Sequence, residues 1–294
     1  MKAFVIAENE NAARELCAGA RTVADSVVLC VAGAPAITGV ADLCVHIDVP
    51  AGNVADDAYI SVKNAYDAQG ADCVIAENAL RPLSLAGRLA AALGTSAIAG
   101  VTSLSANQAT SMYFGGTGVR TASAEATPVF IVGAGVFDAS AATGSDAVEE
   151  VAFEAPANAV VKKGEDALPK ADVNLNAADT VVACGRGFAE ENELQLARDL
   201  AAKLGGEVGC SRPLAEGVDW FPKEAYIGVS GAVVSPKIYV ACGISGQMQH
   251  MVGCNGAETV IAINKDKNAP VFKQCDYGIV GDLKDVLPAL TAAL

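Results

Sequence analysis

Strand-like and helix-like segments alternate along this chain in two separate runs, and this constrains the fold more than any other feature. In the first run, KAFVIAE (2–8), SVVLCVAG (26–33), LCVHIDV (43–49) and ADCVIAE (71–77) are apolar stretches of strand length. Helical spacing fills NAARELCAGARTVAD (11–25), DDAYISVKNAYDAQ (56–69) and RPLSLAGRLAAALG (81–94). Strands apolar on both faces, joined through helices, predict a parallel sheet covered on both sides. From about residue 109 the pattern changes. TSMYFGGTGVRTAS and ATPVFIVGAGVF, within 110–137, carry glycine turns and no helix between them, which predicts an antiparallel edge to the same sheet.

Residues 138–178 are rich in Ala, Ser, Gly, Asp, Glu and Pro and predict a partly extended connector. Alternation restarts at 179: strand DTVVACG, helix ENELQLARDLAAKLG, strands EVGCSRP, IGVSG and KIYVACG, helix SGQMQHMVG, strands TVIAINK and YGIVGD, helix LKDVLPALTAAL. The expected architecture is two doubly wound α/β domains with mainly parallel sheets. Residues 1–150 form the first, 151–178 the connector and 179–294 the second.

Bulk chemistry excludes several function classes. The net charge of −14 argues against nucleic acid and against an anionic membrane as partner. No apolar run reaches the length of a membrane span without Gly, Pro or charge, so stable membrane insertion is not expected. MKAFVIAEN turns acidic too early for a signal peptide. Nine cysteines occur without a C-x-x-C pair, mostly inside apolar runs, and predict reduced, buried thiols in a cytoplasmic protein. With only two histidines, far apart, no metal site is expected.

The ends of the second run's strands carry the chemistry. Arg186-Gly187, Ser211-Arg212-Pro213, Ser230-Gly231, Ser245 to His250, Asn264-Lys265-Asp266 and Asp282 each follow a strand, on the side where open α/β sheets bind ligands. Six such loops predict a rim around an extended, phosphate-bearing ligand. The junction from IYVACG into GISGQMQHMVG (243–253) is the most specific of them. A small-residue turn entering a helix directs free N–H groups and a positive helix end at one spot, which suits a phosphate. No G-x-G-x-x-G follows a first strand, and no Walker A, H-E-x-x-H or G-x-S-x-G motif is present. A self-contained NAD-dependent dehydrogenase is disfavoured on that ground.

VACGRGF, GCSRPLAEG, YIGVSG, SPKIYVACGISGQMQHMVG, AINKDKNAPVF and DYGIVGDL, in this order, resemble the FAD-binding domain of the electron transfer flavoprotein alpha subunit, in the bacterial branch linked to carnitine and nitrogen-fixation metabolism. The resemblance covers about 110 residues; the first half is compatible in length and alternation only. It implies FAD as cofactor, a beta subunit as partner, and an electron carrier working with a dehydrogenase of acyl-CoA type, without substrate chemistry of its own. It also implies roles for residues. Arg186 would contact the cofactor. Ser211 and Arg212 match a pair whose arginine lies against the flavin ring. Ile227, Gly228, Val229 and Ser230 match the segment around the isoalloxazine edge, with the Ser230 hydroxyl toward N5. Ser245, Gly246, Gln247, Met248, Gln249 and His250 match the phosphate-binding helix start, with His250 reaching the pyrimidine carbonyl. Asn264, Asp282 and Leu283 match contacts toward the adenosine end. Many relatives carry Gln-Thr where this chain has Val229-Ser230, so one amide hydrogen bond is lost and the hydroxyl is kept.

Blander readings stand beside these. A redox-inactive nucleotide sensor or scaffold of the same fold is the alternative, with Val229 as its one hint. His46 reads as a packed or rim histidine. Arg212 precedes proline, which predicts extended backbone that would also hold its guanidinium in place. Trp220-Phe221 suits a lid, a partner contact or plain packing alike.

Overall fold

A computed structural model describes residues 1–105, 107–114, 117–124, 126–166 and 173–294. The chain forms two compact units: Met1–Tyr113 with Gly118–Ala167, and Leu168–Leu294 with Phe114–Thr117. Both are doubly wound α/β.

The first unit contains β1 (Lys2–Ile6), α1 (Glu10–Ala20), β2 (Ser26–Ala32), β3 (Leu43–Ile47), α2 (Tyr59–Gln69), β4 (Cys73–Glu77), α3 (Leu80–Ala92), β5 (Ala97–Ser105), β6 (Gln108–Tyr113), β7 (Gly118–Ser123), β8 (Val129–Val132) and β9 (Val148–Glu150). The strand order is β7-β6-β5-β8-β4-β1-β2-β3-β9. Pairing is parallel except in the ribbon β5–β6–β7. The central strands are apolar on both faces because both faces are covered. α1 packs Leu16 and Cys17 on one side. α2 and α3 pack Val62, Tyr66, Leu85 and Leu89 on the other, with Tyr66 edge-on to Phe4 at 5.6 Å between ring centroids. Each fully buried Leu, Val or Phe there contributes about 1.5–3 kcal/mol.

The second unit contains β10 (Thr180–Cys184), α4 (Leu194–Leu204), β11 (Glu207–Cys210), α5 (Arg212–Glu216), β12 (Ile238–Cys242), α6 (Met248–Met251), β13 (Thr259–Asn264), β14 (Tyr277–Val280) and α7 (Leu283–Ala293). Its sheet is wholly parallel, in the order β11-β10-β12-β13-β14. A reciprocal box between Glu190 and Glu193 caps the turn that leads into α4. Leu200 and Leu287 cover one face of the sheet, and Ile244, Met251 and Val271 the other.

Several expectations are corrected. VFIV, within ATPVFIVGAGVF, is not part of an antiparallel edge. As β8 it runs parallel between β4 and β5, and the antiparallel edge is built from β5 to β7. β5 escaped notice because AIAGVTSLS is mostly small and polar, is largely exposed and carries a register shift. IGVSG is not a strand; only the isolated bridges Cys210–Tyr226 and Ile227–Ala232 remain there. The first part of the predicted connector is held by the first unit. Ser61 bonds Ala152 and Glu154, the Val160 N–H donates to Asp57, and the Lys162 N–H donates to the Gly52 carbonyl. Residues 167–172 of that connector, and Gly115-Gly116 of the expected glycine turn, lie outside the described residues.

Candidate functional site

Each unit has one point where the chain winds off in both directions from neighbouring strands, and there a doubly wound sheet opens a crevice beyond its carboxyl ends. In the first unit this point lies between β1 and β4. Glu77 fills it. Its carboxylate accepts from the Glu8 N–H at 2.9 Å and from the Asn9 side-chain amide, while Asn9 also caps α1 through the Ala12 N–H. Burial, helped by the nearby Glu8 carboxylate, pushes the Glu77 carboxyl above its ordinary range. A crevice lined by Glu8 and Glu77 repels a phosphate.

In the second unit the reversal falls between β10 and β12, where the lining residues include one carboxylate, Asp266, beside three cations, Arg186, Arg212 and Lys265. The turns after these strands meet backbone to backbone. The Gly185 N–H donates to the Cys242 carbonyl at 2.9 Å, and the Gly187 N–H to the Gly243 carbonyl at 3.0 Å. Gly243 has φ +67°, and a Cβ on it would lie 2.6 Å from the Gly187 Cα. Beyond this contact opens a cleft of about 990 Å³, at the upper end of the range for small-molecule sites.

Eleven of the sixteen nominated residues line that cleft. Arg186 comes from the end of β10, Ser211 and Arg212 from β11, and Asn264 from β13. Ser245, Gln247, Met248, Gln249 and His250 follow β12, and Val229 and Ser230 come from the loop before it. Of the other five, four stand behind the wall, and Asp282 is exposed outside the cleft. Ile227 is fully buried and donates its N–H to Cys210; Gly228 bonds Ala232 through its N–H. Gly246 packs on Val271, Leu283 is buried against Gly243, and Asp282 caps α7 by accepting from the Lys284 N–H at 2.9 Å. The expected rim of six strand ends is thus four strand ends and one loop, with the β14 end outside. Gly187, Pro213, Tyr226, Gly243, Ile244, Lys265, Asp266, Ala269 and Pro270 also line the cleft without having been nominated. Lys265 and Asp266 were visible as a polar strand end. Tyr226 directly precedes the IGVSG segment, and its phenol lies 3.1 Å from the Ser230 hydroxyl, fixing where that hydroxyl stands.

Two local expectations change. Arg212 is the first residue of α5 and not an extended residue; Pro213 sits in the first helical turn, where its missing N–H is harmless. What holds the guanidinium is Glu216, one turn on, at 2.6 Å, and this carboxylate raises the Arg212 pKa above its ordinary value. The helix after β12 is α6, only four residues long, starting at Met248. A helix so short carries little dipole. The anion-binding capacity sits in the turn before it, where the N–H groups of Ser245, Gly246 and Gln247 donate to no partner among the described residues.

His250 is 8% exposed. Burial lowers its pKa from 6.5 to about 4, with a smaller opposing pull from the Ile227 carbonyl, so the ring is neutral at pH 7. Nε2 lies 2.7 Å from the Tyr239 hydroxyl. Nδ1 is buried and makes no hydrogen bond of acceptable geometry. A buried polar atom without a partner costs about 1–3 kcal/mol, and the backbone acceptor beside this one is the Ile227 carbonyl.

The arrangement has the parts a flavin dinucleotide requires: cations at the rim (Arg186, Arg212, Lys265), free N–H groups for a diphosphate, and apolar wall from Ile244, Met248 and Val229. Among the described residues no cluster of side chains suits a metal.

Comparison with known proteins agrees with this chemistry. Residues 174–255 match the family model described as electron transfer flavoprotein FAD-binding domain, and residues 4–157 match the electron transfer flavoprotein domain. Protein FixB of Salmonella typhimurium is 46% identical over 187 residues, covering 62% of this chain and 59% of that protein. Protein FixB of Escherichia coli is 46% identical over 173 residues, covering 58% and 55%. The chain thus spans under two thirds of the length of these relatives. With its first unit and most of its second matched in order, the chain belongs to the electron transfer flavoprotein family, in the alpha-subunit branch, and its C-terminal unit is that family's FAD-binding domain.

Proposed function

We propose that this chain is the FAD-carrying subunit of a heterodimeric electron carrier. It receives electrons from, or delivers them to, a dehydrogenase of acyl-CoA type, and a beta subunit completes the complex. The observation that carries this reading is the convergence of Arg212, Ser230 and His250 on one cleft at the β10/β12 reversal. FAD, when bound, supplies reversible uptake and release of electrons. The protein residues bind and tune. Arg186, Ser211, Arg212 and the Ser245–Gln247 turn would hold the dinucleotide, and Arg212, Ser230 and His250 would face the ring. A fixed cation and preorganised donors near the ring favour its reduced, more negative form and raise its potential. No nucleophile or paired carboxylate is needed. A cytoplasmic setting accords with nine free thiols, eight of them buried. No helix among the described residues is long and apolar enough to cross a membrane.

The test is co-expression with the partner subunit and purification of the complex. The expected product is yellow, with one FAD released per copy of this chain. A colourless, stable complex that takes up no added FAD overturns the reading.

A further inference from the structure

Three successive carbonyls in the turn after β12 are held by one segment, 264–274. The Ile244 carbonyl accepts from the Asn264 side-chain amide at 2.9 Å. The Ser245 carbonyl accepts from the Val271 N–H at 3.0 Å, and the Gly246 carbonyl from the Gln274 side-chain amide at 2.9 Å. These peptide bonds are trans, and a planar trans peptide points its N–H opposite to its C=O. Pinning the three carbonyls therefore turns the N–H groups of Ser245, Gly246 and Gln247 the other way. Those are the three donors without a partner among the described residues, and Ser245 and Gln247 line the cleft. The left-handed conformation of Gly246, φ +86°, lets consecutive N–H groups form such a concavity.

Gln274 is the side chain in this set that stands outside the cleft lining. Its amide nitrogen lies 3.4 Å from the Pro270 carbonyl as well as 2.9 Å from that of Gly246. Both neighbours are acceptors, so the NH₂ end of the amide, and not its oxygen, faces them.

We propose that Gln274 is a positioning residue for anion binding. By holding the Gly246 carbonyl from outside the cleft, it aims the Gln247 N–H at the ligand. Together with Val271 and Asn264 it keeps three consecutive donors preorganised, so binding a diphosphate does not have to turn the peptides first. This rests on the reading that FAD occupies the cleft with its diphosphate over this turn. Without the Gln274 amide, the Gly246–Gln247 peptide loses what fixes its direction.

The test uses the full chain in complex with its partner subunit, depleted of flavin. Gln274→Met keeps the length of the side chain and removes the donor. FAD and ADP, which share the diphosphate, are both expected to bind this variant about tenfold more weakly than wild type. The reduction potential of the bound flavin is expected to stay as in wild type, because Gln274 acts on the diphosphate and not on the ring. Gln274→Glu, which replaces the donor by an acceptor, is expected to weaken both ligands at least as much. Unaltered affinities in the two variants overturn the proposal, and so does a loss confined to FAD with ADP unaffected. Should both variants fail to fold, a crystal structure of the FAD-loaded wild type decides. It is expected to show the Gln274 amide on the Gly246 carbonyl and the Gln247 N–H on a diphosphate oxygen; a Gly246 carbonyl turned toward the diphosphate overturns the proposal. A wild-type complex that binds ADP but no FAD defeats the functional reading, while the effect of Gln274 is still read with ADP. FAD bound equally by wild type and variants defeats this proposal only, and a wild-type complex that binds neither ligand defeats both.

Discussion

Gly243→Ala is expected to cost the second unit about 2–6 kcal/mol and to abolish FAD retention. Two effects add. Gly243 has φ +67°, and a non-glycine residue in that region carries strain of about 1–3 kcal/mol. Its new Cβ would also lie 2.6 Å from the Gly187 Cα and 3.0 Å from the Gly187 nitrogen. These are backbone atoms of the facing turn and cannot rotate away. Relief requires the β10 and β12 turns to part, and overpacking of this kind costs about 1–3 kcal/mol more. The same movement displaces Arg186 and the Ser245–Gln247 turn together. Gly205→Ala is the control, because Gly205 has φ +64° but open space around its Cβ position. It should show the strain alone and retain flavin. Denaturant unfolding followed by the fluorescence of Trp220, the single tryptophan, reads the second unit directly. Equal stability losses in the two variants would show that the backbone contact is not what shapes the cleft.

The second large effect concerns pH. His250 has a folded pKa of about 4 against 6.5 in the unfolded chain. The unfolded state therefore takes a proton that the folded state refuses. Stability from this group is complete above pH 6.5, declines as pH falls, and is lost by about pH 4. The full difference is about 3 kcal/mol, an order-of-magnitude figure. Carboxylates add their own acid sensitivity, so the measurement is the gap in unfolding free energy between wild type and His250→Gln at successive pH values. That gap should shrink or change sign by about 3 kcal/mol between pH 7 and pH 4. A constant gap would mean that His250 titrates normally and is not buried as described.

Long apolar runs made the architecture legible. β1, β2, β4, β10 and β12 are covered on both faces, so their sequences are apolar throughout except at an end residue such as Lys2, Ser26, Glu77 or Thr180. β5 was not legible, since an exposed ribbon strand imposes no apolar pattern. The placement of β8 was hidden for another reason: partner choice in a sheet is a long-range matter, and VFIV reads the same at an edge or at the centre. At the site, strand-end chemistry identified Arg186, Ser211, Arg212 and Ser245 to His250 because polar residues directly after buried strands have few other purposes. Tyr226 and Tyr239 were overlooked because each looks like an ordinary aromatic in an apolar segment. Their hydroxyl contacts to Ser230 and His250 exist only once the chain is folded. The conformation of Arg212 was misjudged by weighing the proline after it above the helix-starting value of a Ser-x-Pro sequence.

FAD is expected to lie in the cleft at the β10/β12 reversal. A crystal structure of the FAD-loaded complex tests it most directly. The flavin ring is expected among Arg212, Ser230 and His250, with the diphosphate over the Ser245–Gln247 turn. A flavin found at the Glu77 crevice of the first unit, or away from Arg212 and Ser230, would contradict it.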